Sequence, residues 1–384
     1  MAPDRPIRLA LVGGGAGSFI GPVHRIAAEL DRAFTLVAGA FSSDAARSVE
    51  AGRRWGLAED RCYPDYNALL AAERSREDGA EVVAIVTPNH LHAPVAIAAL
   101  QAGYDVISDK PATATLAEAV DLEAAVRASG RLYGLTFTYT GYPMVRQAHE
   151  MIASGALGAV RKVVVEYSQG WLSSALEATG NKQAEWRADK TRAGVGGCIG
   201  DIGVHAFNIA EFVSGRQVTE LCADLRTVVA GRALDDDCNV LLRFDNGAPG
   251  VLIASQISTG DRNGLRLRVS GERGTLLWTH DDPTQLTVNW ADAPTQVLHA
   301  GGGYLGQASL AATRLPTGHP EGFIEAFANL YRDFADAVRR RAASADPVPD
   351  IAQGLRAAAF VETAVAASAR RAGWTPLTTG AVDV

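Results

Sequence analysis

The chain has 384 residues, of which 47% are hydrophobic and 21% are charged, and its formal net charge is −7. This composition excludes an intrinsically disordered chain, and the length favours two domains. An acidic balance without a long cluster of Lys and Arg argues against a nucleic-acid partner.

The first part of the chain alternates strand and helix patterns. Short apolar runs predict strands at residues 7–12, 34–41, 82–86, 104–108 and 132–138. Helical spacing between them predicts helices at 21–30, 45–55, 94–102 and 116–129. Such alternation predicts a parallel sheet with helices on both faces, and continuous apolar strands fit a sheet that is buried on both sides. We therefore predict an α/β domain over residues 1–138.

The remainder of the chain has a different pattern. Strands are predicted at 160–167, 219–229, 239–244, 250–258, 265–270, 275–278 and 285–290, separated by turn signals such as DNG and GERG. Several of them alternate apolar and polar residues, which is typical of an open antiparallel sheet with one solvated face. Helices are predicted at 206–213, 321–341 and 350–372. We predict an α+β domain with a large, open, mostly antiparallel sheet over residues 139–384.

The stretch LVGGGAGSFIG follows the first strand and opens a helix. Gly13 and Gly15 match the first two glycines of a dinucleotide-binding turn, in which backbone N–H groups at the helix N-terminus donate hydrogen bonds to the pyrophosphate. Ser18 occupies the third position, and Gly21 fits that role better after a short insertion. Taken alone, this turn is as compatible with a plain tight turn as with cofactor binding.

The end of the second strand normally distinguishes NAD from NADP. Here it reads Phe41-Ser42-Ser43, with Asp44 following and no Arg directly at this point. Ser42 and Ser43 are compatible with a ribose hydroxyl or a phosphate, and Arg47 is a candidate partner for a phosphate. The choice stays open, with NAD slightly favoured.

Three further motifs complete a set in a fixed order: TPNHLH (87–92), DKP (109–111) and WRADKTRAGVGGCIGDIGVH (186–205). The set resembles the Gfo/Idh/MocA family of oxidoreductases, which includes sugar and inositol dehydrogenases, and the resemblance covers nearly the whole chain. The chain departs from the family at three places: Asp109 replaces Glu, Asn208 replaces Asp, and TYTGYP replaces an Asn-x-Arg segment. Arg146 is a candidate replacement for that Arg.

The resemblance implies a Rossmann-type first domain that binds NAD or NADP. It implies cofactor contacts from Gly13, Gly15, Ser18, Phe19, Ile20, Ser42, Ser43, Thr87, Asn89, His92, Asp109, Lys110, Trp186 and Arg187. It implies catalytic roles for Lys110, Asp201 and His205. Substrate contacts are expected from Lys110, Gln169, Trp171, Asp201, His205 and His319. No metal is expected.

The chemistry explains why these residue types are needed. Oxidation of a secondary alcohol removes a hydride, which the nicotinamide takes, and a proton, for which a histidine such as His205 is suited. Asp201 lies four residues earlier, and this spacing places two side chains on one helix face. Lys110 would stabilise the oxygen as it becomes alkoxide-like. We expect oxidation of a secondary ring hydroxyl in a sugar, sugar derivative or cyclitol.

Other interpretations remain open. Taken by itself, Asp201 is more typical of a helix N-cap, Lys110 of a surface charge and His205 of packing. The ordered motifs reverse this preference. Two alternative functions are kept: oxidoreductive glycoside cleavage through a transient keto-sugar with recycled NAD, and a catalytically inactive sugar- or dinucleotide-sensing protein.

The remaining expectations concern the protein's surroundings. No apolar run reaches the ~18 residues of a membrane span, and no signal-peptide pattern precedes the first strand. The four cysteines form no CxxC pair, so neither a metal site nor a redox motif is predicted. We expect a cytoplasmic protein with a small-molecule carbohydrate or cyclitol partner, no nucleic-acid or membrane partner, and a homo-oligomeric state, dimer or tetramer.

Overall fold

The structure is a computed structural model that describes residues 5–341 and 348–380, so the ends of the two predicted domains, 1–4 and 381–384, lie outside the described residues. The chain divides into two compact units. The first comprises Met1–Thr138 and Phe323–Leu355, and the second comprises Tyr139–Gly322 and Arg356–Val384. Residues Phe323–Leu355 thus group with the first unit, although the sequence placed them in the second predicted domain.

The first unit contains a five-stranded parallel sheet. Its first ten helices and strands are β1 (Ile7–Gly13), α1 (Ile20–Leu30), β2 (Phe34–Ala40), α2 (Ala45–Arg54), α3 (Tyr66–Ser75), β3 (Val82–Val86), α4 (His92–Gln101), β4 (Asp105–Ser108), α5 (Leu116–Ser129) and β5 (Tyr133–Leu135). The strand order is β2-β1-β3-β4-β5. The predicted α/β fold of this part is confirmed.

The strand order explains where a ligand would bind in this unit. Every residue of β3 is buried, as its continuous apolar sequence predicts for a central strand. The order of the strands reverses between β1 and β3, and open α/β sheets bind ligands at the carboxyl ends of the strands beside such a switch. The glycine-rich turn follows β1, the TPN segment follows β3 and the DKP segment follows β4.

The second unit contains a nine-stranded sheet. The elements that follow in the chain are α6 (Pro143–Ala153), β6 (Val160–Ser168), α7 (Lys182–Arg187), α8 (Lys190–Ala193), α9 (Val204–Ser214), β7 (Val218–Arg226), β8 (Asp237–Phe244), β9 (Pro249–Ser255), β10 (Gly264–Gly271), β11 (Gly274–Thr279), β12 (Gln285–Trp290), β13 (Gln296–His299), α10 (Gln307–Ala311), α11 (Phe323–Arg340), α12 (Ile351–Ala369) and β14 (Thr375–Pro376). The strand order is β13-β12-β11-β10-β6-β9-β8-β7-β14.

This sheet is mostly antiparallel, as predicted. Among the described strands of this sheet, β6 and β9 form the one parallel pair. β8 shows why the alternating pattern arises: it buries every second side chain from Cys238 to Phe244 and exposes Asn239, Leu241 and Arg243. One face of the sheet therefore carries the core of the unit, and the other face is accessible.

Helix α11 belongs to the first unit because its apolar face packs on α1. Phe327, Tyr331 and Phe334 lie in the same buried cluster as Leu9 and Phe34. The cluster explains why residues far along the chain complete the core of the glycine-rich unit. No helix in the described part of the chain has both the length and the hydropathy of a membrane span.

Candidate functional site

The glycine-rich turn after β1 depends on glycine at two positions. Gly13 has a φ of +88°, and a Cβ on it would lie 2.5 Å from the carbonyl oxygen of Val86. A Cβ on Gly21 would lie 2.2 Å from the carbonyl oxygen of Gly14, so α1 approaches the turn closely only because residue 21 is glycine. Gly21 thus has the role of the third glycine, and the hydroxyl of Ser18 accepts a hydrogen bond from its N–H at 3.1 Å.

The surroundings of this turn fit a dinucleotide. The turn leads into the N-terminus of α1, where backbone N–H groups favour a pyrophosphate. The hydroxyl of Thr87 is buried and has no hydrogen-bond partner among the described residues, so it remains available to a ligand. Phe19 is largely exposed beside the turn, and Asn89 is buried just beyond Thr87. These residues stay predicted contacts of NAD, which would supply the hydride acceptor.

At the end of β2, Asp44 is the N-cap residue of α2. Its carboxylate caps α2 by accepting the N–H of Arg47 at 2.9 Å, and its own N–H donates to the hydroxyl of Ser42 at 3.1 Å. Ser42 and Ser43 remain predicted ribose contacts.

The DKP segment after β4 is organised by Asp109. Its carboxylate accepts the N–H of Lys110 at 2.9 Å and the hydroxyl of Thr136 at 3.2 Å, and it lies 3.8 Å from Nε2 of His24. Burial raises the pKa of Asp109, but His24, Lys110 and His92 outweigh it and lower the pKa to about 2. The carboxylate is therefore ionised at neutral pH and fixes the backbone at Lys110.

In the second unit, the CIGDIGVH stretch forms a π-helical turn over Ile199–Gly203 that continues into α9. Asp201 therefore lies in a wider turn than the α-helix assumed from the four-residue spacing to His205. Asp235 anchors this turn: its carboxylate accepts the N–H of Gly197 at 2.6 Å and of Ile199 at 2.8 Å. Asp235 was not predicted from the sequence, because no local pattern marks it as a partner of this turn.

Asp201 is held by two side chains from elsewhere in the unit. Its Oδ2 accepts Nε of Arg187 at 3.1 Å and Nε2 of Gln256 at 2.9 Å. Asp201 is the N-cap residue of neither the π-helical turn nor α9. The helix-cap interpretation is therefore wrong, and Gln256 is a further residue of the candidate site that the sequence did not reveal.

Arg187 lies against two indole rings. Its guanidinium carbon is 4.3 Å from the ring centroid of Trp186 and 5.7 Å from that of Trp171. The indole N–H of Trp171 donates to the side-chain oxygen of Gln169 at 2.9 Å. Gln169, Trp171, Trp186 and Arg187 thus form one cluster with Asp201, which keeps the guanidinium directed at the carboxylate.

His205 lies beside a buried network of neutral polar groups. Its ring meets that of Tyr139 edge-on, with centroids 5.0 Å apart. Tyr139 and Tyr167 share a short hydrogen bond between their hydroxyls, and the side-chain oxygen of Asn263 accepts Tyr167 at 2.6 Å and Gln169 at 2.7 Å. Burial raises the pKa of Tyr139 to about 12 and that of Tyr167 well above its ordinary range. Both phenols are therefore neutral donors.

Two further residues singled out from the sequence, His319 and Arg146, make backbone contacts. His319 is exposed and its Nδ1 lies 3.1 Å from the carbonyl oxygen of Pro316, within its own turn. Arg146 is buried and donates to the carbonyl oxygen of Thr140 at 3.1 Å. His319 therefore lies within its own turn, and Arg146 is bonded to the backbone at Thr140.

A buried thiol pair packs beneath the π-helical turn. Potential ligand atoms of Cys198, Asp235 and Cys238 lie within 4.8 Å of one another. Burial raises the pKa of Cys198, and the thiol of Cys238 donates to the carbonyl oxygen of Ala254 at 3.3 Å. Since Asp235 is already bound by two backbone N–H groups, this cluster supports the turn as packed, hydrogen-bonded side chains.

The first unit has a parallel sheet with a glycine-rich turn, and the second unit has an open, mostly antiparallel sheet. This combination is typical of a two-domain nicotinamide-dependent oxidoreductase. Comparison with protein families supports this class. Residues 7–137 match the oxidoreductase family with an NAD-binding Rossmann fold, and residues 145–277 match the GFO/IDH/MocA C-terminal domain. The chain belongs to the Gfo/Idh/MocA family. The predicted NAD(P)-dependent oxidoreductase is thereby confirmed, with NAD as the cofactor that the family description names.

Individual relatives cover nearly the whole chain. An uncharacterised oxidoreductase, YfiI of Bacillus subtilis (strain 168), is 35% identical over 97% of both chains. An inositol dehydrogenase homolog from Azotobacter vinelandii in complex with NAD+ is 38% identical, covers 97% of both chains and has a TM-score of 0.92. The same homolog in complex with NADH and myo-inositol has a TM-score of 0.89 at 37% identity, over 97% of this chain and 98% of that one.

A more distant relative is also informative. Levoglucosan dehydrogenase of Pseudarthrobacter phenanthrenivorans (strain DSM 18606 / JCM 16027 / LMG 23796 / Sphe3) is 28% identical over 74% of this chain and 76% of its own.

Proposed function

We propose that the chain oxidises a secondary ring hydroxyl of a sugar, sugar derivative or cyclitol to a ketone. The relatives support this substrate class, since one was solved with NADH and myo-inositol and another is a levoglucosan dehydrogenase. NAD, when bound, supplies the hydride acceptor. His205 takes the hydroxyl proton as the general base. Lys110 places a positive charge at the oxygen as negative charge develops on it.

Asp201 orients the reacting groups in this proposal. Two donors, Arg187 and Gln256, share its Oδ2, so the carboxylate has a fixed direction. Gln169 and Trp171 are proposed to contact the substrate from the same cluster. Thr87 and Asn89 are proposed to contact the cofactor at the end of β3, and Trp186 and Arg187 remain further proposed contacts.

The observation that carries the proposal is the chemistry around His205. The imidazole of His205, the proposed proton acceptor, lies beside Tyr139, and the network next to Tyr139 contains neutral hydroxyl and amide groups. Neutral donors and acceptors match the hydroxyl groups of a polyol without requiring a charged substrate. The carboxylate of Asp201 already has a cationic partner in Arg187.

The test is a panel of cyclitols, free sugars and glycosides, each assayed with NAD and with NADP while reduced cofactor is measured. We expect NADH formation with at least one neutral polyol. Cleavage of a glycoside without net NADH release would favour the oxidoreductive alternative. Tight NAD binding without turnover on any polyol or glycoside would contradict the proposal and support a sensing protein.

We also propose a homo-oligomer that pairs through the accessible face of the nine-stranded sheet. The strand register aligns Leu241 with Val251 and Val251 with Val164 on that face. Leu241 is 48% exposed, and Val164 and Val251 are half-buried. An apolar row of this kind on an open sheet is suited to a second copy of the chain. A monomer in light scattering at micromolar concentration would contradict the proposed oligomer. If an oligomer forms through this face, Leu241→Lys should weaken it.

We place the enzyme in a reducing compartment, the cytoplasm. All four cysteines are free thiols in the structure, and three of them are buried. Free thiols are typical of reducing compartments. Cell fractionation with an antibody against the chain tests this location, and recovery outside the cytoplasmic fraction would contradict it.

A further inference from the structure

Arg232 lies in the connection between β7 and β8, and its side chain is only 3% exposed. A guanidinium group has five N–H groups and no acceptor. Here each N–H group has an acceptor at 3.0 or 3.1 Å: both carboxylate oxygens of Glu177, one carboxylate oxygen of Asp236, and the carbonyl oxygens of Leu172 and Ser174. These partners hold the guanidinium in one orientation.

The charges around Arg232 are paired by these hydrogen bonds. The pair with Glu177 is bidentate, which is the strong arrangement of a guanidinium with a carboxylate. The hydrogen bond from Arg232 is the main cause that lowers the pKa of Glu177. The buried carboxylate of Asp236 also accepts the N–H groups of Val228 at 2.7 Å and Val229 at 2.9 Å. Arg232 is therefore the cation that accompanies a buried aspartate.

Two partners of Arg232 also hold the backbone of Gln256. The N–H of Gln256 donates to the carbonyl oxygen of Asp236 at 2.9 Å, and the N–H of Leu172 donates to the carbonyl oxygen of Gln256 at 3.1 Å. The side chain of Gln256 in turn donates to Asp201 at 2.9 Å. Because Arg232 binds both Leu172 and Asp236, it fixes the backbone from which the side chain of Gln256 reaches Asp201.

A second connection from Arg232 to Asp201 runs through Asp235. The carboxylate and the carbonyl oxygen of Asp235 accept the three consecutive N–H groups of residues 197–199. These residues lead into the π-helical turn that carries Asp201. Since Asp235 and Asp236 are adjacent in the chain, the hydrogen bond that fixes Asp236 also restrains Asp235.

We propose that Arg232 is a positioning residue that keeps Asp201 in place through the backbone of Gln256 and through Asp235. The catalytic part of this inference rests on the proposed function, in which Asp201 orients the reacting groups; the structural part does not. Loss of the guanidinium should loosen the turn that carries Asp201 and slow the reaction. NAD binding by the glycine-rich turn of the first unit should not change.

Amide hydrogen exchange, measured by mass spectrometry on the full-length protein, tests the structural part without turnover. Arg232→Lys keeps the positive charge but has fewer N–H donors in a different geometry, so some of the present acceptors lose their partner. We expect exchange to become about tenfold faster at residues 197–203 and at Gln256, because a lost hydrogen bond to a charged group makes local opening easier.

The matched control is Arg61→Lys in the first unit. Arg61 is also buried between two carboxylates, with Nη2 donating to Glu73 at 2.6 Å and Nη1 donating to Asp78 at 3.0 Å. Both variants should lower the melting temperature. Arg61→Lys should leave exchange at residues 197–203 as in the wild type, because its partners belong to the other unit.

The catalytic part is tested by steady-state kinetics and NAD titration of the same variants. Arg232→Lys should lower kcat by about tenfold, because a small displacement of an orienting group is costly, and leave the Kd for NAD near wild type. The loss should be smaller in an Asp201→Asn background, since residues that act through one another are not additive. Arg61→Lys should leave kcat per folded molecule unchanged, which is also the result expected for Arg232→Lys if Arg232 only stabilises the fold.

The two proposals fail separately. Wild-type exchange at residues 197–203 in a folded Arg232→Lys protein would overturn the positioning role, and so would additive losses with Asp201→Asn. If Arg232→Lys does not fold, Glu177→Gln replaces it, because this change removes one acceptor of the bidentate pair; wild-type exchange and kcat in that variant would overturn the role. If no polyol is turned over, the proposed function fails, but the exchange measurement still decides whether Arg232 holds the turn of Asp201.

Discussion

Asp109 and Asp201 are equally shielded from solvent but are held in different ways. Their side chains are 16% and 18% exposed, respectively. Asp109 is fixed by its neighbour's backbone N–H and by the hydroxyl of Thr136, the residue that follows β5. Asp201 is fixed by the long side chains of Arg187 and Gln256. Exposure alone therefore does not assign a role to a carboxylate, whereas its partners do.

The donors of the two carboxylates indicate which one supports the local backbone and which one belongs to the candidate site. The donors of Asp109 belong to the loops themselves, so its charge shapes the segment that carries Lys110. The donors of Asp201 converge on one oxygen, in a cluster that also includes Gln169 and Trp171. We therefore expect substitutions around Asp109 to change stability and substitutions around Asp201 to change turnover.

The largest expected effect is on the Asp201 side, at His205. His205→Ala should lower kcat by about 10²–10⁴-fold, because the proposed general base is removed. NAD affinity and thermal stability should change little if the role is catalytic. Steady-state kinetics and NAD titration on the folded variant measure this. Near-wild-type kcat would show that His205 only packs against Tyr139.

The next largest effect is expected at Lys110, and it tests whether the segment that Asp109 fixes takes part in the reaction. Lys110→Ala should lower kcat by about 10²–10³-fold, because a positive charge at the developing alkoxide is lost. Lys110→Arg keeps the charge and should retain part of this activity, which separates charge from loop structure. Equal losses in both variants would instead indicate that the shape of the ammonium group matters more than its charge.

Asp109→Asn tests the structural half of the comparison. The folded-state pKa of Asp109 is lowered to about 2, below the ordinary value of an aspartate, so its contribution to stability is complete above about pH 4 and is lost as the pH falls towards about 2. The wild-type protein should lose about 2 kcal/mol more unfolding free energy than the variant across this interval. Urea unfolding at a series of pH values measures the difference. Parallel stability curves would mean that Asp109 has an ordinary pKa.

Local sequence patterns predicted the parallel sheet of the first unit, in which Asp109 directly follows β4. The strand predicted at 82–86 is observed as Val82–Val86. A continuous run of five apolar residues is typical of a central strand that is buried on both faces. Helix α6 was overlooked, although Pro143 at its first turn was an available signal. The strand predicted at 132–138 is observed only as Tyr133–Leu135, since the chain turns into a 3₁₀ segment at Thr138–Gly141.

The partners of Asp201 show what the sequence could not provide. Gln256 lies 55 residues further along the chain, and no local pattern marks a buried glutamine as a donor to a particular carboxylate. The same holds for Asp235, which anchors the π-helical turn from 36 residues away. β13 was also missed, because most of its residues are exposed and carry no alternating signal. The motifs indicated which residues matter, and only the fold shows how they are held.

The smallest effect concerns Gln256, and it tests whether this residue acts through Asp201. Gln256→Ala removes one hydrogen bond to a carboxylate, worth about 1.5 kcal/mol, and should lower kcat/KM by about tenfold. If the effect passes through Asp201, the same substitution should cost much less in an Asp201→Asn background, because coupled residues are not additive. Gln147→Ala is the control, since this buried glutamine is bonded to the N–H of Gly306 instead. Additive losses in the double variant would mean that Gln256 contributes independently of Asp201. Gln256 could then not be counted among the donors through which Asp201 is held for turnover.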